Sequence, residues 1–172
     1  AKLLSTQNSF TTKDRATFLA NLEQAIYSCY ILCYAQGLNM LVNASAEYKY
    51  NTSITAVASI WRGGCIIRAV MLEKITAAFQ NNPNLKNLMD DSFFSKELNA
   101  CREGFQQIVA VAIQAGIPVP AMCASLNYYV SFRSAWLPAN LIQAQRDFFG
   151  AHTYKRNDRE GIFHTEWNQT IH

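Results

Sequence analysis

Charge is what this sequence has least of. Only 16% of its 172 residues are Asp, Glu, Lys or Arg. They are distributed unevenly: none stands between Glu23 and Glu47, and Arg133 is alone from Gly104 through Gln145. Basic runs are missing too, since nothing exceeds Lys155 and Arg156 and the net charge is only +3. That excludes the electrostatic footprint of a nucleic-acid binder, and no nucleic-acid partner is expected. The opening AKLLST has no apolar signal segment, and the five cysteines are an odd number in a chain too long to need disulfide staples. A reducing, cytoplasmic setting follows, in which the Asn-x-Ser/Thr triplets at Asn43, Asn51 and Asn168 are chance rather than glycan acceptors.

Motifs are as scarce as charge. There is no strand alternation, internal repeat or low-complexity linker, and neither GxGxxG nor a GK[ST] ending. No serine or cysteine has the surroundings of a known nucleophile, and no carboxylates pair on one apolar helix face. Cys29 and Cys33 stand one helical turn apart without a histidine or carboxylate pair nearby, so they read as buried thiols and no metal is expected. Nothing here forms a self-sufficient catalytic machine.

What is present is helical periodicity over a hydrophobic half of the residues, enough for one large core. Thr11 and Thr12 are candidate caps before Asp14. Phe18, Leu22, Ala25, Cys29 and Leu32 then repeat at helical spacing, which predicts a helix of about 30 residues, buried on most sides. Gln24, Gln36, Asn39 and Asn43 break its apolar run below membrane-span length, so no membrane partner is expected. Asn51 is the candidate cap of TSITAVASIWR. The Gly63–Gly64 pair makes a bend with close packing, and helix resumes in CIIRAVMLEKITAAF. Past the turn at Pro83, Phe94, Leu98, Cys101, Phe105, Ile108 and Ala112 form the seam of a helix packed lengthwise on another, closed by Gly116 and Pro118. The stretch from Gly104 through Gln145, with Arg133 its one charge, must lie inside the fold or across a subunit contact. Pro138 starts a last helix that stops at Gly150, and residues 151–172 form an extended tail. The fold class is all-α: a multi-helix bundle with a long buried central helix.

In LPANLIQAQRDFFGAHTY, Arg146 and His152 stand on either side of that stop. Arg146 alone reads as a cation favoured by the helix dipole. With His152 it can instead converge on a small dianion, a planar guanidinium binding phosphate or carboxylate bidentately and an imidazole adding a donor.

WRGGCIIRAV (61–70), QAGIPVPA (114–121), LPANLIQAQRDFFGAHTYKR and GIFHTEW together resemble the C-terminal all-α domain of the 6-phosphogluconate dehydrogenase family, from about Ala25 to Trp167. The resemblance implies an NADP-dependent, metal-free enzyme of the pentose phosphate pathway that converts 6-phosphogluconate to ribulose 5-phosphate. It implies a homodimer whose tail crosses to the partner, and it assigns Arg146 and His152 to the substrate phosphate in the partner's active site. The family's catalytic lysine and glutamate and its nucleotide fold belong upstream of Ala1. The 172 residues alone are therefore expected to be an inactive helical dimer, with no catalytic or cofactor-binding residue of their own. The competing expectation is a stand-alone helical interaction module without catalysis.

Overall fold

A computed structural model describes residues 10–167; the Asn168 triplet and the end of the expected tail lie outside the described residues. The chain divides into two compact units, residues 1–129 and 130–172.

The first unit opens with α1 (Arg15–Glu47). Asp14, rather than a threonine, caps it by accepting the Thr17 amide at 3.0 Å, while Thr12 Oγ1 accepts from the amide of Asp14. α2 (Ile54–Arg62) is capped by Ser53, whose hydroxyl accepts from the Ala56 amide at 3.3 Å. Asn51, expected at that cap, instead turns the chain with a φ of 53°, a left-handed conformation that asparagine tolerates.

Gly64 has a φ of 135°, and nothing lies within 4 Å of where its Cβ would be. Gly64 therefore serves backbone conformation, not close packing, whereas Gly63, at an ordinary φ of −83°, would set a Cβ 3.3 Å from the Ile60 carbonyl oxygen. Helix resumes only at α3 (Met71–Asn81), not at Cys65. The intervening loop finds an outside partner, since the Tyr34 hydroxyl on α1 donates to the Ile67 carbonyl at 2.5 Å.

A 3-10 turn, Leu88–Asp90, leads into α4 (Ser92–Gln114), where the Asp91 carboxylate accepts from the Phe93 and Phe94 amides. α4 closes as a Schellman motif: Gly116 at φ 69° donates to Ile113, and Ile117 donates to Ala112 at 2.8 Å. α5 (Pro120–Phe132) follows and runs into the second unit.

The first unit's core lies where Ala25, Ile31, Leu32, Ala35 and Leu38 of α1 meet Phe94, Leu98, Phe105, Ile108 and Val109 of α4, with Leu72, Ile75 and Phe79 of α3 beside them. The expected α4 seam is buried except at Cys101, which is half-buried. Gly104 lets the two helices touch. A Cβ there would meet Gln24 Oε1 and come within 3.1 Å of the Asn21 Cα. Alanine's propensity gain of about 1 kcal/mol is set against an overpacking cost of about 1–3 kcal/mol, so glycine is the better residue.

α1 buries one stripe only. Its opposite face leaves Ile26, Tyr30 and Met40 exposed, so the uncharged sequence is more apolar than this chain's own core uses. Among the described residues α1 alone is long and apolar enough by composition to cross a membrane; a core helix passes the same test, and the stripe facing α4 is of that kind.

The second unit holds the end of α5, then α6 (Ala139–Gly150), with Pro138 just before its first turn, and the segment that follows. Among the described residues the fold is all-α, with one isolated antiparallel bridge, Tyr154 to Phe163.

Candidate functional site

α6 is amphipathic in an unusual sense: the one residue it buries is Asp147, a carboxylate. Its neighbours Arg146, Phe148 and Phe149 are exposed. A buried charge is tolerated only where donors surround it. Four do: the amides of Thr153 (2.9 Å) and Thr165 (2.9 Å), Trp167 Nε1 (3.0 Å) and His164 Nδ1 (2.9 Å). An ionised carboxylate only accepts, so His164 carries its proton on Nδ1.

All four donors come from the segment after the helix. Residues 151–167, expected as an extended tail, form no helix and are tied back to α6 by these bonds. Tyr154 and Phe163 exchange two backbone hydrogen bonds at 2.9 Å, closing the excursion between them. Gly161, at φ 125°, gives the Phe163 ring room, and the Arg159 guanidinium lies 4.6 Å from that ring's centre.

Burial pushes the Asp147 carboxyl up, but the bonds from His164, Thr165, Trp167 and Thr153 outweigh it and hold the group down at about 2. The bond to Asp147 raises His164 above its ordinary 6.5; burial opposes this, and the charges of Asp147 and Glu166 add to it. The depressed carboxyl contributes stability above its ordinary value near 4 and loses it as pH falls toward about 2. The raised imidazole contributes below 6.5 and loses its contribution as pH rises through its folded value. The segment is thus held most firmly between about pH 4 and 6.5. Hydrogen exchange at the Thr153 and Thr165 amides, corrected for intrinsic rates, should be slowest in that window, and protection that is flat with pH would contradict the assignment.

Arg146 and His152 flank the helix end. The left-handed residue that stops α6 is Ala151 (φ 48°), one beyond the expected Gly150, and Thr153 (φ 63°) is left-handed as well. Each costs an L-residue about 1–2 kcal/mol, and α6 holds the second from both sides. Asp147 takes the Thr153 amide, and Gln143 Nε2 donates to the Thr153 carbonyl at 2.5 Å. Gln143 also accepts from Arg146 Nη1 at 3.3 Å. His152, exposed, meets the Phe149 ring edge-on at 5.6 Å. Gly150 is needed for space: a Cβ there would lie 2.9 Å from His152 Nε2.

The helix end repels an anion by about 0.3–1 kcal/mol, whereas a charge-assisted bond from a guanidinium is worth about 1.5–3 kcal/mol, so the side chains decide the site's sign. Sequence reasoning singled out Arg146 and His152 but gave no role to Gln143, Asp147, His164 or Trp167. One signal was available: Asp147 is the only acidic residue between Glu103 and Asp158.

Apolar surface surrounds this site in sequence. Ile113, Trp136, Leu141 and Ile142 are all more than 60% exposed, so their own units leave part of the uncharged stretch uncovered. Among the described residues no three metal-binding side chains gather, and no strand, glycine turn and helix combine to hold a dinucleotide.

Comparison with known proteins supplies the context. The model of the family described as 6-phosphogluconate dehydrogenase, C-terminal domain, matches residues 1–167. A decarboxylating 6-phosphogluconate dehydrogenase of Staphylococcus epidermidis is 49% identical over 154 residues, 90% of this chain and 33% of the relative. That of Escherichia coli is 47% identical over 167 residues, 97% of this chain and 36% of the relative. A solved structure of Plasmodium falciparum 6-phosphogluconate dehydrogenase, studied apo and with its cofactor NADP+ and its substrate 6-phosphogluconate, superposes with a TM-score of 0.89 at 42% identity. It covers 96% of this chain and 36% of that one. The chain spans about a third of the length of these relatives.

Proposed function

Because the chain belongs to the 6-phosphogluconate dehydrogenase family, as its C-terminal domain, we propose that it serves an enzyme that oxidatively decarboxylates 6-phosphogluconate to ribulose 5-phosphate with NADP. The enzyme works in the cytoplasm as a homodimer. In this reading Arg146 and His152 of one protomer hold the substrate's phosphate in the active site of the other.

One observation carries it: an exposed guanidinium and an exposed imidazole flank a helix end whose backbone is fixed by Gln143 and Asp147. Arg146 offers a planar pair of donors to phosphoryl oxygens, and the His152 imidazole adds an N–H donor. Fixing them beforehand reduces the ordering cost of capturing the phosphate. Bound NADP supplies the hydride acceptor, and the residues described here contribute substrate binding and orientation.

The exposed Ile113, Trp136, Leu141 and Ile142 support a second copy as the cover for the uncharged stretch. Analytical ultracentrifugation of the chain should give twice the protomer mass, falling to a monomer on Leu141→Glu with Ile142→Glu. A monodisperse wild-type monomer would count against a subunit contact here.

A further inference from the structure

We infer that Asp147 is a positioning residue for substrate phosphate, acting through a clasp in which its buried carboxylate gathers Thr153, His164, Thr165 and Trp167 and so fixes the backbone that presents His152. The inference rests on the phosphate-binding reading of Arg146 and His152 and extends it to a residue that touches no substrate.

Three features point to positioning. His152 lies between two non-glycine residues with left-handed backbone, Ala151 and Thr153, a conformation that persists only when its surroundings impose it. The imposing contacts are specific: Asp147 Oδ1 takes the Thr153 amide and Gln143 takes the Thr153 carbonyl, so the residue after His152 is held at both backbone groups. Asp147 also sits next to Arg146 on the same helix turn, and Gln143 contacts both Arg146 and Thr153. One rigid helix therefore sets both anion-binding groups.

His164 and Trp167 close the clasp from its far side. Asp147 Oδ1 is shared by the Thr153 amide and His164 Nδ1, and Oδ2 by the Thr165 amide and Trp167 Nε1. Both oxygens receive two donors, leaving no place for an NH2 group. Asparagine, the same size, would set a donor against donors. The cost should appear as displacement of the 151–153 backbone.

The test is initial-rate kinetics on the full-length enzyme. Asp147→Asn should raise KM for 6-phosphogluconate about 10-fold while kcat and KM for NADP stay within about threefold. A purely structural role would lower Tm and the active fraction, hence kcat, and leave that KM alone. Combined with His152→Ala, Asp147→Asn should add less than about threefold, because both act through one group. Should Asp147→Asn fail to fold, His164 decides. His164→Ala should raise the same KM about threefold or more, and His164→Asn, whose amide nitrogen can stand where Nδ1 does, should restore most of it. If His152→Ala itself leaves KM unchanged, the phosphate reading falls. If His152→Ala raises KM but Asp147→Asn and His164→Ala do not, or if the effects of Asp147→Asn and His152→Ala multiply in full, the clasp alone is overturned.

Discussion

Arg146→Ala in the full-length enzyme should raise KM for 6-phosphogluconate roughly 10- to 100-fold and leave KM for NADP within about twofold, the span expected for losing one or two charge-assisted hydrogen bonds worth about 1.5–3 kcal/mol. The asymmetry between the two substrates matters more than the size of the effect. Arg146 is exposed, and Gln143 is its hydrogen-bond partner, at 3.3 Å. It contributes nothing to the carboxylate hub one residue away, whose donors are His164, Thr153, Thr165 and Trp167. Truncation should therefore leave Tm nearly unchanged, as for other exposed side chains without a buried partner. Lysine keeps the charge but not the planar fork, and Arg146→Lys should recover only part of the lost affinity. Equal rises in both KM values would mark a structural arginine.

The second large effect is on stability. Phe105→Ala should destabilise the domain by about 3–5 kcal/mol in urea or thermal unfolding. Phe105 is 1% exposed, on the face of α4 that meets α1, immediately after the glycine that brings the two helices together. The neighbouring helix turns are therefore poorly able to collapse into the space left behind. Against a total stability of about 5–15 kcal/mol for a domain, the loss is a large fraction of the whole. A loss below about 1 kcal/mol would mean that the α1–α4 contact is not the core. Ile142, as apolar but 61% exposed, gives the contrast: its truncation costs a single protomer little, so any large effect of Ile142→Ala reports a covering partner.

The long helices were legible because their seams obey one period over many turns. Phe94 to Ala112 on α4 needed only spacing to read, and the terminus at Gly116 only the chemistry of a left-handed cap. Local competition was harder to see. Asn51 and Ser53 are both good caps, and Ser53 takes the role because Asn51 is used to turn the chain. CIIRAV has helical spacing, yet the Tyr34 hydroxyl claims the Ile67 carbonyl and the segment stays a loop. The same limit governs the site. Arg146 and His152 stand out as a guanidinium and an imidazole at the end of a long stretch with little charge. The groups that fix them, Asp147, His164 and Trp167, are as many as 20 residues apart and meet only because the chain folds back. A hydrogen-bond hub of that reach leaves no periodic trace. Its one mark is an acid isolated in an apolar segment, where burial without donors would be prohibitive.

Mixed dimers test the central claim most directly. One population carries Arg146→Ala, the other an intact Arg146 in a full-length subunit inactivated at catalytic residues outside this domain; with 6-phosphogluconate well below the wild-type KM, each should be nearly inactive as a homodimer. If Arg146 serves the partner's active site, re-pairing the two creates one complete site in every mixed dimer, and random re-pairing should return about a quarter of wild-type activity. If Arg146 serves its own subunit's site, no complete site forms and the mixture stays as inactive as its parents; if it serves none, the Arg146→Ala homodimer is itself active.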